Sequence, residues 1–244
     1  MSDVRPVALV TGGARRVGAV TARRLHGAGY DVVIHHRSAI NEALALQAEL
    51  DVARPGGCLL LRADLGHFDR LPELIALTIG HFGRLDALVN NASAFYPTPI
   101  GTATPAAWDD LFAANARAPF FLSQAAAPHL RASGGAIVNM TDIYAEKALR
   151  EHTIYCMANA ALVMMTKSLA KELAPQVRVN AVAPGAVLWP EQGKSEAEQQ
   201  AMLAATPLQR AGTPDDVADA VLWLLRDAHY TTGQVLRVDG GRLL

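Results

Sequence analysis

Two cysteines, Cys58 and Cys156, are the whole thiol complement of this 244-residue chain. They stand far apart and match no metal-ligand spacing, so no metal centre and no disulfide framework is expected, only two packed, reduced small residues. An excess of one charge is missing as well. The 22 Lys and Arg against 23 Asp and Glu give a formal net charge of -1, which offers nucleic acid no generally basic surface. No apolar run reaches the length of a membrane span. Met1 to Pro6 lack the basic and long apolar regions of a secretory signal and lead straight into an apolar strand, so a cytoplasmic protein is expected. Internal repeats, low-complexity tracts and Gly/Ser-rich linkers are also absent. What is there, 51% hydrophobic and 18% charged residues, suffices for a substantial core and does not indicate disorder. A chain of this length fits one α/β domain spanning residues 1–244.

Short β-rich runs alternate with longer amphipathic segments, the pattern of an α/β fold with a doubly wound parallel sheet and helices on both faces. Seven strands are expected near Val7–Val10, Asp31–His35, Cys58–Arg62, Ala87–Asn90, Ala136–Met140, Arg178–Val182 and Gln234–Val238. Apolar residues at helical spacing predict helices at Val17–Gly27, Glu42–Leu50, Leu71–Phe82, Trp108–Leu130, Ile154–Leu173 and Asp215–Leu225. Gly27 and Pro175 stand where helices should stop. Residues 186–206 form the longest stretch without a predicted element. They lie beside a strand end, where open α/β sheets bind ligands, and are a candidate lid.

The first strand ends in Thr11-Gly12-Gly13-Ala14-Arg15-Arg16-Val17-Gly18 and runs into a helix. Such a turn brings backbone N–H groups and a helix dipole to a phosphate, and glycine is needed where a Cβ would block close approach. A tight strand-to-helix turn alone also wants glycine. The second strand ends His35-His36-Arg37-Ser38 and has no acid there, where a ribose-binding carboxylate would favour NAD. Arg37 and Ser38 suit a 2′-phosphate instead, with Arg15 or Arg16 as a further cation near the phosphates, so NADPH is the expected cofactor. Asp64 after the third strand, Asn91-Ala92-Ser93 after the fourth and Pro184-Gly185 after the sixth fall on the same carboxyl edge. Each is also an ordinary turn or cap residue taken alone; their joint placement argues for a shared crevice. Two readings stand for Asn115, inside a long apolar helix: its amide takes a backbone partner or a site water. Tyr155 and Asn159, four apart in a predicted helix, lie on one face and can address one ligand.

These residues together resemble the short-chain dehydrogenase/reductase family over nearly the whole chain, from Thr11-Gly12 to Asp239-Gly240-Gly241. Within it, the segment Asn90-Asn91-Ala92-Ser93-Ala94-Phe95-Tyr96-Pro97-Thr98-Pro99 is similar to the pteridine reductase branch. Arg16 in place of the family's usual middle glycine, the His36-Arg37-Ser38 segment and Asp142 in place of the usual serine agree with that branch. The resemblance implies a Rossmann-type seven-stranded sheet, a homotetramer, and NADPH-dependent reduction of dihydropterins or dihydrofolate. It implies that Tyr155 supplies a proton, that Asp142 bonds the pterin or relays a proton through Tyr155, and that Asn115 belongs to the catalytic group. Phe95 would stack the substrate's flat bicycle against the nicotinamide, while Ser93 and Arg16 add polar contacts. Trp189 and Tyr96 either wall the pocket or pack the loop down.

One departure from the family is Asn159, where a lysine is usual. An ammonium about 4–5 Å from the tyrosine oxygen stabilises phenolate by about 3–4 kcal/mol at an effective dielectric near 20. Asparagine carries no charge for this, yet it can still donate to a ribose hydroxyl. Lys167 and Lys171 lie about 18 and 24 Å beyond Tyr155 along a helix axis and do not substitute. Lys147 sits in the loop between Asp142 and Tyr155. Reduction starts from a neutral phenol, so losing the lysine weakens reprotonation more than the first proton transfer. Two further readings remain: a non-catalytic NADPH-binding protein, and a general carbonyl reductase of the 3-oxoacyl type.

Overall fold

Seven parallel strands form one sheet in the order β3-β2-β1-β4-β5-β6-β7 in the computed structural model of this chain, which describes residues 4–187 and 195–244. They are β1 (Val7–Val10), β2 (Asp31–His36), β3 (Cys58–Arg62), β4 (Ala87–Asn90), β5 (Ala136–Met140), β6 (Arg178–Pro184) and β7 (Val235–Val238). The helices between them are α1 (Arg16–Gly27), α2 (Ile40–Ala53), α3 (Leu71–Phe82), α4 (Pro105–Phe112), α5 (Ala118–Ser133), α6 (Thr153–Leu173), α7 (Glu196–Ala204) and α8 (Pro214–Arg226). The expected doubly wound α/β fold is therefore present, with strand limits within two residues of those read from the sequence.

The central strands are apolar on both faces because helices cover both. Side chains of opposite parity divide the core: Val10, Val32, Ile34 and Val138 pack with α1, α2 and α8, whereas Leu9, Val33, Leu88 and Ile137 pack with α3, α5 and α6. Beneath the carboxyl edge the second layer also holds buried amides. Asn90 Nδ2 donates to Asn139 Oδ1 at 2.8 Å, and Asn139 Nδ2 donates to Thr166 Oγ1 at 2.9 Å, which links β4, β5 and α6. Satisfied buried amides of this kind specify register more than they add stability. Cys58 is buried, which pushes its thiol up to about 12, and Cys156 is half-buried; neither is paired.

Two expectations change. The single helix expected at Trp108–Leu130 is three pieces: α4, a π-helical turn at Ala113–Arg117, and α5. Pro119 explains the break. It has no N–H to donate to the carbonyl four residues back, at Asn115, so the α ladder cannot run through this point. The stretch 186–206, expected to lack an element, contains α7. Ser195 and Glu198 close a capping box at its start, and Arg242 donates to Met202 O near its end. Trp189 lies outside the described residues. Among the described residues no helix is long and apolar enough to cross a membrane, and no three His, Cys, Asp or Glu side chains group as a metal site.

Candidate active site

The strand order reverses direction between β1 and β4, and the crevice at their carboxyl ends opens into a cavity of about 670 Å³. It collects residues from five strand ends: Gly12, Arg15, Arg16, Val17 and Gly18 after β1; His36, Arg37 and Ser38 at β2; Asp64 after β3; Asn91, Ala92, Ser93 and Phe95 after β4; Asp142 after β5; Pro184 and Gly185 at β6. Tyr155 and Asn159 of α6 complete the wall. Asn115 does not line it.

The glycine turn is shaped by close contacts. Gly12 takes φ +59°, and a Cβ on Gly18 would stand 2.2 Å from Gly12 O and 2.6 Å from Asn91 Nδ2. Only glycine fits there. Arg16 has φ +53°, a left-handed conformation that costs a non-glycine residue about 1–3 kcal/mol and opens α1 directly above the crevice. Thr11 Oγ1 accepts the N–H groups of Asn91 and Ala92 at 2.9 and 3.0 Å, and Asn91 Nδ2 donates back to Thr11 O at 2.8 Å. Asn91 therefore braces the turn. Arg15 leans away to Glu42, 3.5 Å off. His36 is buried, lines the cavity and has a partnerless Nδ1, an orphaned polar atom that a ribose or phosphate group would satisfy. The residues fit a dinucleotide: a close-packed turn at a helix start, an orphaned imidazole nitrogen and Arg37 beside it.

At the other end, Tyr155 Oη donates to Asp142 Oδ2 at 2.8 Å, and Tyr144 N donates to Asp142 Oδ1 at 2.9 Å. Burial raises both groups. It pushes the Tyr155 phenol well above its ordinary range, reinforced by the adjacent Asp142, while Asn159 acts weakly in the opposite direction. It also raises the Asp142 carboxyl against the two hydrogen bonds that lower it. A neutral phenol next to a carboxyl with elevated proton affinity is a proton-donating pair.

The structure places the remaining candidates. Asn159 is buried; its Nδ2 donates to Tyr155 O at 3.0 Å and its Oδ1 accepts from Thr141 Oγ1 at 3.3 Å. Much of its amide is thus spent on holding α6 to β5. Among the described residues no lysine lines the cavity, and Lys147 is exposed. Asn115 takes the backbone reading: Nδ2 donates to Ala94 O at 2.9 Å and Oδ1 accepts from Ala94 N at 3.2 Å, which pins the segment carrying Phe95. Asp64 Oδ1 caps Gly66 N at 2.8 Å while its side chain borders the cavity. Gly185 is a glycine because a Cβ would stand 2.8 Å from Asp239 Cα, not because a flat ring passes it. Tyr96 Oη donates to Asp110 Oδ2 at 2.9 Å at the cavity's rim.

Four contributors are not legible as site residues in sequence. Thr11 and Thr141 are single hydroxyls at strand ends. His35 and His152 act through residues distant in the chain: His152 stacks on Phe95 with ring centroids 4.7 Å apart, and Phe95 meets the Tyr155 ring edge-on at 4.8 Å. Phe95 stays 45% exposed on the cavity side, so it is a wall rather than a core plug.

Comparison with known proteins agrees with this geometry. Residues 12–242 match the family described as enoyl-(acyl carrier protein) reductase. The chain is 35% identical over 280 aligned positions to pteridine reductase 1 of Leishmania tarentolae, covering 98% of this chain and 97% of the relative. It is 39% identical to the granaticin polyketide synthase putative ketoacyl reductase 2 of Streptomyces violaceoruber, over 97% and 95% of the two chains. It is 34% identical to a 3-oxoacyl-[acyl-carrier-protein] reductase of Synechocystis, over 98% and 97%. With this sheet, this glycine turn and this tyrosine on its helix, the chain belongs to the short-chain dehydrogenase/reductase family, oxidoreductases that work with nicotinamide cofactors.

Proposed function

We propose that this chain is an NADPH-dependent pteridine reductase acting on dihydropterins, with dihydrofolate as a second substrate. The observation that carries the reading is the Tyr155–Asp142 hydrogen bond at 2.8 Å. A serine at position 142 offers one hydroxyl; a carboxyl there accepts from the donor-rich amino edge of a pterin and also holds a transferable proton. The similarity to a protein named pteridine reductase 1 supports the same choice.

When bound, the cofactor supplies hydride to a carbon of the substrate's C=N bond. Tyr155 Oη gives its proton to the nitrogen, and the phenolate so formed takes the proton of the Asp142 carboxyl at 2.8 Å. Asp142 is refilled from solvent. The cycle therefore needs Asp142 protonated at the start, since an ionised carboxylate holds the phenol's proton for itself. The raised proton affinity of Asp142 serves that need. Asn159 stabilises phenolate by hydrogen bonding alone, so turnover is slow beside that of a lysine-bearing site. Phe95, backed by His152, offers the flat surface on which a bicyclic ring stacks. Arg37 and Ser38 hold the 2′-phosphate that separates NADPH from NADH. A single domain acting within a cytoplasmic homotetramer, with 186–206 closing over the substrate, completes the proposal.

Two named ketoacyl reductases at comparable identity favour a second reading, reduction of a 3-oxoacyl thioester. The deciding experiment is NADPH consumption at high enzyme concentration with dihydrobiopterin, dihydrofolate and a 3-oxoacyl thioester in parallel. Turnover of a pterin or folate with none of the thioester is the expected result. Thioester turnover alone selects the second reading, and tight NADPH binding with no turnover on any of them selects a non-catalytic cofactor-binding protein.

A further inference from the structure

His35, one residue before the end of β2, joins two loops that no regular element connects. It is 2% exposed and lines the cavity. Gly12 N–H donates to His35 Nδ1 at 3.2 Å, and His35 Nε2 lies 3.1 Å from Ala63 O. A carbonyl only accepts, so the ring proton belongs on Nε2, and that leaves Nδ1 as the acceptor that Gly12 requires. Both contacts agree on one neutral tautomer. Burial secures it by lowering the imidazole to about 4; Ala63 O and Asp64 oppose this and His36 adds to it. The backbone of the same residue also takes part, because Gly13 N–H donates to His35 O at 2.9 Å. Two consecutive amides of the glycine turn therefore end on one residue, and neither is available to a phosphate.

We infer that His35 is the positioning residue of the dinucleotide site: its imidazole holds the glycine turn at a set distance from the Ala63–Asp64 corner, on the far side of the crevice. The turn's other amides and the start of α1 are then in place before the pyrophosphate arrives, so binding does not have to order a loop whose glycines are the chain's most mobile backbone. The geometry also says which half of the ring matters. Nδ1 governs the turn, while Nε2 only anchors the ring to Ala63. This inference rests on the family's use of a nicotinamide dinucleotide and is independent of the substrate.

Three variants separate the two contacts. His35→Asn puts an amide oxygen near the position of Nδ1 and keeps an acceptor for Gly12. His35→Gln carries its amide toward Nε2 and leaves a methylene facing Gly12. His35→Leu removes both. Fluorescence titration of each with NADPH is expected to show roughly tenfold weaker binding for the Gln and Leu variants, the worth of one lost hydrogen bond to a preformed turn. The Asn variant should stay within about threefold of the parent. If the Leu variant does not fold, the Asn and Gln pair still decides. Equal affinities for Asn and Gln, or melting temperatures that fall while NADPH affinity holds, overturn the inference. The parent's own titration tests the cofactor reading separately: no NADPH binding by the parent overturns both.

Discussion

The Phe95 ring lies nearly parallel to the His152 imidazole, 17° from coplanar at 4.7 Å, so the segment after β4 and the loop before α6 meet through two flat side chains. Thr98 N–H donates to Glu151 O beside them, a second tie between the same loops. One face of Phe95 is thus backed and the other is left for a ligand. Replacing His152 with Ala should raise the pterin KM by roughly 3- to 10-fold, since an aromatic pair contributes about 0.5–1.5 kcal/mol beyond its buried area. His152→Phe should restore it. Steady-state kinetics with varied substrate at saturating NADPH measures both, and an unchanged KM in the Ala variant would show that Phe95 does not stack the substrate.

Asp142→Asn should lower kcat about a hundredfold, the low end of what a positioned acid contributes. The pH profile is the sharper readout. The folded carboxyl binds its proton more tightly than an unfolded one, so both activity and this group's contribution to stability are full at low pH and decline as pH rises through the raised value. The parent's pterin reduction should therefore fall with rising pH, and the Asn variant should lose that limb. An identical pH dependence in parent and variant would remove Asp142 from the proton path.

Asn159→Lys should speed single-turnover reduction by at least about tenfold, part of the roughly 3–4 kcal/mol that an ammonium near the phenol provides. It should also tighten NADPH binding. The benefit carries a cost, because the substitution deletes the amide's bonds to Tyr155 O and Thr141. Stopped-flow absorbance across pH 5–9 measures the effect, and equal rates throughout would show that position 159 does not limit the reaction.

Arg37→Ala should weaken NADPH binding by roughly 10- to 100-fold, as expected for charge-assisted bonds to a phosphate worth about 1.5–3 kcal/mol. NADH binding should barely change. A parallel loss for both cofactors would mean that Arg37 supports the β2 end and does not read the 2′-phosphate.

Gly18→Ala should destabilise the protein by about 1–3 kcal/mol and abolish NADPH binding, because its Cβ cannot coexist with Gly12 O at 2.2 Å. Thermal unfolding together with cofactor titration tests it. A stable, NADPH-binding variant would show that the turn has another conformation open to it.

Much of this fold is legible in the sequence because a parallel sheet buried on both faces writes its strands as plain apolar runs: Val7–Val10 and Ala136–Met140 are read to the residue. The site is legible as far as it follows strand ends, which is why Gly12, Asp64, Asn91, Asp142 and Pro184 come together as expected. What escapes is contact across strands. Neither the pairing of Gly12 with His35 and Ala63 nor that of Phe95 with His152 has a local signal; each depends on the strand register and loop placement of the folded chain. Helix α7 is a different case. Its capping box, Ser195 with Glu198, is a readable signal in a polar segment whose weak amphipathicity hides the helix behind it.

The π turn at Ala113–Arg117 sets a limit on how this chain tolerates length changes. Each residue of an α-helix advances the next by about 100°. Deleting one residue from the turn in favour of a continuous helix would rotate α5 by that angle against α4, and would swing Leu122, Ala126 and Leu130 off the sheet they now cover. The same deletion would withdraw Asn115 from Ala94 and let the Phe95 wall drift. A gap of one residue here is thus far more damaging than the same gap in an exposed loop, although no residue of the turn need touch a substrate.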